Sequence, residues 1–569
     1  MTVDSIATPT ETELDRAIEA LAGGIGGWAT TGLRARAALL RETQRTVAAE
    51  AGVWTGSATS AKRVPSGRYE GEEWMSGPGA TAPMLAEYAA TLEKLADGGS
   101  ALDGVRLSSR PGGRVGVRVL PGDAKDHLLF SGFTADVWLK PGVTEEQARR
   151  DAGLGAKSRG EAGGVGLVLG AGNISAIAPL DVVYELVAYN RASILKLNPT
   201  FAHLLPSYER ALAPLIKRDL VRVVNGGPEV GGYLTGHAGI SHVHITGSAR
   251  THDAIVWGVG EEAAANRAAG TLKLHKEITS ELGGVSPIIV VPGRWSKAEL
   301  RFQAEHVVTQ RLHNAGHNCI GGQALILGRD WVQKDDFLAA IREVLQEIPA
   351  RPPWYPNGQA SIDRAAATYG AAAEQVGSCL LVTMADDAPS ELYDGEYFAG
   401  VLGVTELPGK GADFFANAVA FANDRLDGTL GASVIVRPSD IRRMGARFDQ
   451  IVADMRYGAV GINVWSAIAF LLGGSGWGAY PGHTLEEVGS GIGTVHNTHL
   501  LSDVEKTVVR GPFRPFPMSV LKGEPSMAPR PPWFVTARTA QKTGKALARL
   551  GGRRSWLNTL RVLPPAIRG

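Results

Sequence analysis

One cysteine stands where it could act as a nucleophile. Cys319 is one of only two cysteines among 569 residues, and its segment HNAGHNCIGG joins a predicted helix to a predicted strand. Backbone N–H groups at such a junction favour a thiolate, and they could also hold the oxyanion that forms when a thiolate attacks a carbonyl carbon. Because cysteine is among the most buried residue types, a structural thiol explains this position equally well.

A metal site at the same segment is disfavoured. His313, His317 and Cys319 could cluster, but two histidines beside one thiol, without a nearby carboxylate, make a poor tetrahedral zinc set. Two cysteines also exclude a four-thiolate zinc site and a disulfide framework. The other cysteine, Cys379, lies in the apolar run CLLVTM, which predicts a buried strand. We therefore expect no bound metal.

A carboxylate and an amide precede the cysteine in the chain. Glu281 lies in SELGG, where a partly dry cleft would raise its pKa toward that of a general base, although a glutamate on a loop is more often simply solvated. Asn173, in LGAGNIS, could aim its amide at a developing oxyanion. Glycines here and in ITGSA would let a phosphate approach the backbone. Neither segment matches the complete dinucleotide fingerprint, and ordinary turns explain each of them about as well.

The elements that must position these residues form a regular pattern. From Val165 onward, short apolar runs alternate with helical periodicity, which predicts a doubly wound, mostly parallel sheet with helices on both faces. Ligands bind beyond the carboxyl ends of the strands in such a sheet. The fold class is therefore α/β, with a Rossmann-type cofactor domain, a second α/β unit for catalysis and an extended β-hairpin built around a Pro-Gly-Asp turn.

The pattern also predicts boundaries. Residues 1–112 and 141–281 form the cofactor-binding domain, including N-terminal helices between 11 and 50; 113–140 form the hairpin; 282–488 form the catalytic domain. Residues 489–569 form a C-terminal arm, whose Pro-rich stretch beyond Pro512 indicates a linker or a segment laid on the surface.

Charge is unevenly distributed. The chain carries a formal net charge of +1, so it lacks the basic signature of a nucleic-acid-binding protein. Residues 525–569 hold nine Lys/Arg and no Asp or Glu, which leaves −8 on the rest (+1 minus +9). This basic tail could contact an anionic membrane surface, but its prolines interrupt a long amphipathic helix, so we favour contact with the acidic body of the same chain or of a neighbouring subunit. Without a signal peptide or a convincing membrane helix, we expect a cytoplasmic enzyme.

The motifs, taken in order, carry a resemblance. GAGN, ILKLNPT, RVVNGG, ITGSA, ELGGVSPIIV, NAGHNCIGG and EYFAG together resemble the NAD(P)-dependent aldehyde dehydrogenase superfamily over roughly residues 15–512, most strongly between 165 and 330. The resemblance implies oxidation of an aldehyde to a carboxylic acid with NAD or NADP, through a thiohemiacetal and a thioester on Cys319. Glu281 would activate the hydrolytic water, and Asn173 with the backbone N–H of Cys319 would form the oxyanion hole.

The resemblance also implies binding partners. Lys196 would bind the adenosine ribose and Glu396 the nicotinamide ribose, and the remaining implied cofactor contacts are Gly227, Gly247, Ser248 and Leu282. The hairpin resembles an oligomerisation arm that adds strands to a partner's sheet, so we expect a homodimer or a homotetramer. The residues Ile174, Ile320, Trp465, Phe470 and Leu471 hint at a hydrophobic aldehyde.

The chain departs from the family pattern at several positions. His317 replaces a common glutamine two residues before the cysteine, where it could tune the pKa of the thiol or make a structural hydrogen bond. Pro199 replaces an acidic residue that would bind the 2′-hydroxyl of NAD, which makes NADP compatible. The other departures are Ala171, Gly172, Ile174, Gly400, Leu471 and Leu472.

Two other functions compete with hydrolytic oxidation. A coenzyme-A-dependent acylating aldehyde dehydrogenase, or acyl-CoA reductase, of the same superfamily would pass the thioester to coenzyme A. Such relatives generally lack a water-activating glutamate in this motif, and this chain keeps Glu281. A non-enzymatic scaffold on the same fold is disfavoured by the joint presence of the nucleophile, base, amide and cofactor residues.

Overall fold

Two β-sheets organise the molecule. The computed structural model describes residues 8–64, 69–158 and 160–569. Within these residues the strands are β1 (Leu107–Arg110), β2 (Arg114–Leu120), β3 (Thr134–Leu139), β4 (Val165–Leu169), β5 (Ala192–Lys196), β6 (Val221–Val224), β7 (His242–Gly247), β8 (Glu277–Leu282), β9 (Ser286–Val290), β10 (Gly322–Gly328), β11 (Ala373–Val376), β12 (Cys379–Met384), β13 (Val401–Leu407), β14 (Gly431–Ile435), β15 (Ala459–Ile462), β16 (Gly491–Ile492) and β17 (Val504–Arg510).

The helices of the described residues cover both sheets and form the C-terminal arm. They are α1 (Glu11–Thr30), α2 (Leu33–Ala61), α3 (Glu70–Ser76), α4 (Pro78–Ala96), α5 (Ala124–Leu129), α6 (Glu145–Asp151), α7 (Ile177–Tyr189), α8 (Leu205–Ala211), α9 (Ala213–Ile216), α10 (Pro228–Gly236), α11 (Ala249–Val256), α12 (Gly260–Ala269), α13 (Lys297–Leu312), α14 (Lys334–Glu347), α15 (Gly358–Tyr369), α16 (Glu391–Asp394), α17 (Gly411–Arg425), α18 (Pro438–Met444), α19 (Ala446–Asp454), α20 (Ile468–Leu471), α21 (Met518–Leu521), α22 (Ala540–Gly552) and α23 (Trp556–Ile567). None of those in the described ranges is both long and apolar enough to cross a membrane.

The six-stranded sheet is the predicted doubly wound one. Its order is β16-β8-β7-β4-β5-β6, and β4 to β8 are parallel, whereas β16 is antiparallel to β8. The central strands β4 (VGLVL) and β5 (ASILK) are apolar almost throughout, because helices cover both faces of a parallel sheet. The chain proceeds from β4 to β5 on one side and returns to β7 on the other, so a crevice opens at the carboxyl end of β4.

The eleven-stranded sheet has the order β1-β2-β3-β17-β15-β14-β9-β10-β13-β12-β11. Strands β9, β10, β12, β13, β14, β15 and β17 run parallel. The predicted hairpin supplies β2 and β3, and β3 pairs with β17 of the same chain. Two sheets flanked by helices confirm the predicted α/β class; the domain boundaries stay predictions.

The connection within the hairpin differs from the expected tight turn. Helix α5 follows the Pro-Gly-Asp sequence, since the Asp123 carboxylate accepts hydrogen bonds from the backbone N–H groups of Lys125 and Asp126 at 2.8 and 3.1 Å. An aspartate in this position caps a helix N-terminus, which explains why a run with strand-like composition turns into a helix instead.

The C-terminal arm is folded rather than linker-like. Its residues Trp533, Phe534 and Val535 are buried, because the arm packs apolar side chains against the body as a core element does. The guanidinium of Arg554 pairs with the carboxylates of Asp123 and Asp126 at 2.9 and 2.6 Å. The arm therefore contacts the acidic body of its own chain.

Candidate active site

The loop that carries the cysteine is bent by unusual backbone conformations. After α13 ends, Asn314 and Ala315 adopt positive φ angles of 53° and 56°. The turn is held from both sides, because Arg311 donates to the carbonyl of Gly316 at 2.6 Å and the Asn318 amide donates to the carbonyl of His313 at 2.7 Å. Such strain persists only where the surroundings enforce it, and here it presents Cys319 in the short segment before β10.

Cys319 lies where two concave surfaces meet. One is a groove of about 990 Å³ along the carboxyl ends of β4, β5 and β7; the other is a narrow apolar pocket of about 60 Å³. Of the predicted site residues, those that line the groove with Cys319 are Asn173, Lys196, Gly247, Ser248, Glu281 and Glu396.

Two of the predicted cofactor residues do not line the groove. Gly227 precedes Pro228, which does line it, and the Gly227 N–H donates to the Glu229 carboxylate at 2.9 Å. The Leu282 side chain is buried, and its N–H donates to the carbonyl of Ser490 at 2.9 Å. The structure therefore places Gly227 and Leu282 beside the groove rather than in its lining, and their role in cofactor binding stays a prediction.

Glu281 has the environment expected of a general base. Its side chain is buried at the end of β8, and Oε1 accepts a hydrogen bond from the indole N–H of Trp477 at 3.1 Å. Burial raises the pKa of Glu281 to about 7, although hydrogen bonds with Cys319 and Trp477 oppose the shift. A carboxyl with a pKa near neutrality can both accept and release a proton. Trp477 was not found from the sequence, since 196 residues separate it from Glu281.

The thiol itself does not favour the thiolate, contrary to the sequence-based expectation. Burial raises the pKa of Cys319 well above its ordinary value, and the neighbouring carboxyls of Glu281 and Glu396 raise it further. Its own backbone N–H lowers this pKa, but as the smallest of the contributions. Burial and the two carboxyls therefore raise the pKa of the thiol by more than the backbone N–H lowers it. The thiol proton must pass to a base when the sulfur reacts.

Asn173 faces the nucleophile loop. Its amide nitrogen donates to the carbonyl of His317 at 3.2 Å. Its main-chain carbonyl accepts from the Lys62 ammonium at 2.7 Å and from the Asn314 amide at 3.1 Å. These contacts fix the amide beside Cys319, where it could donate to an oxyanion.

A buried ionic brace, formed by two ion pairs behind this loop, was not predicted from the sequence. Lys62 pairs with Glu73 of α3, with both side chains almost fully buried. On the same helix, Glu72 pairs with Arg351 at 2.7 Å and accepts from the backbone N–H of Asn314 at 2.7 Å. The adjacent carboxylates of EGEEW were a signal, because buried glutamates need partners.

His317 makes structural hydrogen bonds. Its Nδ1 lies 2.7 Å from the carbonyl of Phe398, and its Nε2 accepts from the backbone N–H groups of Trp354 and Tyr355 at 3.2 and 3.4 Å. Burial lowers the pKa of His317 to about 4, so the ring stays neutral. The ring fastens two loops together, which supports the structural alternative over tuning of the thiol.

The groove has features suited to a dinucleotide. Oε1 of the buried Glu396 carboxyl has no hydrogen-bond partner among the described residues, and burial raises the pKa of this group to about 8. A Cβ at Gly283 would lie 1.9 Å from Oε2 of this carboxyl, so any larger residue here would require the Glu396 side chain to move. At the far end, Lys196 closes β5, and Ser248 caps the N-terminus of α11 by accepting from Thr251 N–H at 3.2 Å. An unpaired acceptor and a helix N-terminus suit ribose hydroxyls and phosphates.

The narrow pocket is apolar. Its side chains belong to Met75, Ser76, Ile174, Ile177, His313, Asn318, Cys319, Ile320, Trp465, Ala467, Ile468, Phe470, Leu471, Trp477 and Trp533. All five residues expected from the sequence to suit a hydrophobic aldehyde are present. Trp533, from the C-terminal arm, was not expected. Across the described ranges, no group of three or more His, Cys, Asp or Glu residues is arranged to hold a metal ion.

Comparisons with known proteins find relatives of part of the chain. Residues 207–368 match the aldehyde dehydrogenase family. N-succinylglutamate 5-semialdehyde dehydrogenase of Sphingopyxis alaskensis is 30% identical over 198 residues, which is 34% of this chain and 37% of that protein. The chain thus matches little more than a third of this curated relative's length.

Solved structures extend the likeness over most of the chain. The Mycobacterium tuberculosis aldehyde dehydrogenase complexed with NAD+ has a TM-score of 0.58 at 18% identity, covering 88% of this chain and 91% of that one. Aldehyde dehydrogenase C from Pseudomonas syringae, in a complex with NAD+ and octanal, has a TM-score of 0.57 at 18% identity, covering 90% of both chains. The predicted resemblance is confirmed: residues 207–368 match the aldehyde dehydrogenase family, and the chain has the aldehyde dehydrogenase fold.

Proposed function

We propose that this protein oxidises an aldehyde to a carboxylic acid with NAD or NADP, using Cys319 as the nucleophile. One observation carries the proposal: the Cys319 thiol lies at the junction of a groove large enough for a dinucleotide and an apolar pocket, beside a buried carboxyl. An aldehyde held in the pocket and a nicotinamide cofactor held in the groove would meet at this sulfur, so that the aldehyde carbon could donate its hydride to the cofactor.

The groove residues fit the cofactor. The unpaired Glu396 carboxyl and the close approach at Gly283 suit the nicotinamide ribose, and Lys196 suits the adenosine ribose. Gly247 and Ser248, at the end of β7 and the start of α11, suit the phosphates. When bound, NAD(P)+ supplies a two-electron oxidant that accepts a hydride from the substrate carbon.

The first half of the reaction forms a thioester. Glu281 accepts the thiol proton of Cys319 as the sulfur bonds to the aldehyde carbon, and the carbonyl electron pair moves to oxygen. The Asn173 amide and the Cys319 backbone N–H hold this oxyanion of the thiohemiacetal. As the C=O bond re-forms, the carbon loses its hydride, and the thioester remains on Cys319.

The second half restores the enzyme. Glu281 releases its first proton to solvent, then takes a proton from water as the water oxygen attacks the thioester carbon. The C–S bond breaks, the acid leaves, and the departing Cys319 sulfur takes the proton from Glu281, which restores the thiol and the ionised base. The Trp477 N–H orients the Glu281 carboxyl throughout, because it is already hydrogen-bonded to Oε1.

Transfer to coenzyme A is the second candidate function. The burial of Glu281 next to Cys319 favours water, since a dry carboxyl with a pKa of about 7 is a competent base for hydrolysis. Purified protein, an aldehyde and NAD(P)+ should give the acid without coenzyme A. Thioester as the sole product, with no turnover unless coenzyme A is present, would support the rival instead.

Cofactor preference follows from the region after β5. Pro199 lines the groove next to Lys196, where it offers no carboxylate to repel a 2′-phosphate, and Arg250 lines the groove as well. We therefore expect NADP+ to be accepted along with NAD+. Steady-state assays of an aldehyde panel with each cofactor measure this preference. A chain that oxidises no aldehyde and binds neither cofactor would revive the scaffold alternative.

The proposed assembly is a homodimer or a homotetramer. Edge strand β1 of the eleven-stranded sheet has one unpaired side, and strand addition at such an edge is a common route to association. Sedimentation equilibrium of the full chain measures the state, and a monomer at micromolar concentration would contradict this part of the proposal.

A further inference from the structure

One side chain of the C-terminal arm belongs to the wall of the apolar pocket. Trp533 lines this pocket together with Cys319, although 214 residues separate the two in the chain. It is 8% exposed and lies in the same buried apolar cluster as Phe470 and Trp477, which also line the pocket. The arm therefore contributes its largest side chain type to the space beside the reacting sulfur.

The arm is fastened to the helix that presents the nucleophile. On α13, the Thr309 hydroxyl accepts from the backbone N–H of Val535 at 3.1 Å. The Trp533 ring makes an edge-on contact with the ring of Phe133, with centroids 6.0 Å apart. Since α13 runs directly into the loop of Cys319, these contacts fix the indole relative to the sulfur. A closely packed wall of this kind selects ligands by size.

The pocket is too small for an aromatic ring. Its volume is about 60 Å³. A dry protein cavity of about 150 Å³ accepts a benzene molecule, so a pocket with less than half that volume holds only part of such a ring. Because packed side chains resist expansion, a ring would enter only if a lining residue moved.

The same pocket has room for an unbranched chain. Its partly exposed lining residues are Cys319 at the groove, and Ala467 and Leu471 at the two ends of α20. All of the other lining residues are buried. An extended aliphatic chain is only one methylene wide, so it can run from the sulfur past α20 and continue into solvent. Its length is therefore not limited by the volume of the pocket.

The pocket offers no charge to a ligand. Its described lining contains no lysine, arginine, aspartate or glutamate side chain. An ionised substituent on the substrate would therefore be desolvated without a counter-charge, which is strongly unfavourable. The part of the substrate that lies in the pocket is thus uncharged and apolar.

We propose that Trp533 is a specificity-determining residue, whose indole narrows the pocket so that it accepts unbranched aliphatic aldehydes and excludes those with an aromatic ring close to the reacting carbon. The inference rests on the proposed aldehyde oxidation and adds the chemical class of the substrate. Trp533 acts by occupying volume in the wall, so its effect depends on the size of the side chain.

Three aldehydes assayed on the same enzyme preparation test this assignment. Octanal and phenylacetaldehyde have the same number of carbon atoms but differ in width, and acetaldehyde, whose methyl group fits the pocket, is the reference. Each kcat/KM is divided by that for acetaldehyde, which cancels any difference in the amount of folded enzyme. For the wild-type chain, the octanal ratio should exceed the phenylacetaldehyde ratio by at least about tenfold.

Replacing the indole should relax this selectivity. In Trp533→Ala the phenylacetaldehyde ratio is expected to rise by about tenfold or more, while the octanal ratio stays within about threefold. Trp533→Phe removes less volume and should give a smaller rise. The control is Trp556→Ala, because Trp556 lies on the same arm, is 51% exposed and does not line the pocket. It should keep the wild-type ratios.

Several results would overturn the proposal. One is a wild-type chain whose octanal ratio does not exceed its phenylacetaldehyde ratio. Others are a phenylacetaldehyde ratio that does not rise in Trp533→Ala, and an equal rise in Trp556→Ala. If Trp533→Ala does not fold, Trp533→Phe decides by the same ratios. A wild-type chain that oxidises none of the three aldehydes removes the proposed function itself, and the inference with it.

Discussion

At the scale of residues, the site is defined by two neighbouring acids, the thiol of Cys319 and the carboxyl of Glu281. Burial disfavours the charged form of both Cys319 and Glu281, and the Glu281 carboxyl raises the pKa of the thiol further, whereas the hydrogen bond from Cys319 lowers the pKa of Glu281. The carboxyl nevertheless has much the lower pKa. Near neutral pH it can be ionised while the thiol keeps its proton, so the carboxylate is the group that can accept the thiol proton. The Trp477 N–H, held at 3.1 Å, keeps that carboxyl oriented.

The pKa of Glu281 predicts a pH dependence of activity. The base must be ionised to accept a proton, so kcat/KM should rise with pH through about 7. Glu281→Gln should lower turnover by about 10²–10⁴-fold. The measurement is the pH–rate profile of both proteins. A wild-type profile with no acid limb near pH 7, or a variant with full turnover, would contradict the role of Glu281.

The same shift predicts a change in stability. The folded-state pKa of about 7 exceeds the ordinary value of 4.5. Burial of this carboxyl therefore makes the folded protein less stable as the pH rises from 4.5 to 7. The free energy of unfolding of Glu281→Gln, measured relative to that of the wild type, should therefore be higher at pH 8 than at pH 4.5 by up to about 3 kcal/mol. Glu87 is the control, because its side chain lies outside the site and is exposed to solvent. Glu87→Gln should show a much smaller stability change in denaturant titrations and unchanged activity; equal changes in the two variants would count against the argument.

At the scale of elements, the residues around Cys319 are positioned by one β-sheet and by one helix. Strand ends of the six-stranded sheet present the groove residues, and helix α13 presents the nucleophile loop. Short helix α3 joins the two, since Glu73 pairs with Lys62 and Glu72 binds Asn314. Lys62 in turn holds the main-chain carbonyl of Asn173. The brace therefore links the amide and the loop that together would form the oxyanion hole.

Removing one member of this brace should be costly. Lys62→Met leaves the Glu73 carboxylate buried without its partner, and such a loss typically costs about 3–5 kcal/mol. Arg34→Met is the control, since the Arg34–Asp97 pair exposes 71% and 58% of its side chains and should contribute less than about 1 kcal/mol. Urea titrations measure both. Equal, small effects would show that the brace does not hold the loop.

Local patterns predicted most of these elements but not the contacts between them. The apolar runs of β4, β5 and β7 have the period and composition of parallel strands, so the sheet was predictable. The Lys62–Asn314 hydrogen bond spans 252 residues, and no local pattern reports such a pairing. The thiolate expectation failed for a related reason, because the burial of Cys319 and the nearby carboxyls of Glu281 and Glu396 depend on contacts between distant segments.

At the scale of the whole molecule, the C-terminal arm is part of the folded body. Its apolar residues are buried, and Arg530 and Arg554 are hydrogen-bonded to acidic groups of the body. The composition of the arm suggested a basic, Pro-rich surface segment. It could not show that Trp533 lines the apolar pocket beside Cys319, because that contact exists only once the arm is folded onto α13.

The packing of the arm predicts that the protein does not bind membranes. With anionic vesicles at about 0.15 M salt, the full chain should remain in the supernatant, because several cations and aromatic rings of the tail are already engaged. Helix α23 does expose Trp556, Leu557 and Leu560, which is the surface that such binding would need. Sedimentation of the full chain, abolished in the double variant Trp556→Ser/Leu560→Ser, would contradict this prediction.

The central claim is that Cys319 carries the acyl group, and one measurement tests it directly. Wild-type enzyme is mixed with octanal and NAD(P)+, quenched in acid during turnover, digested and mapped by mass spectrometry. The account predicts an octanoyl thioester on the peptide that contains Cys319 and none on the peptide of Cys379, whose pKa burial raises to about 12. Reduction of the cofactor with no acyl adduct on Cys319 would contradict it.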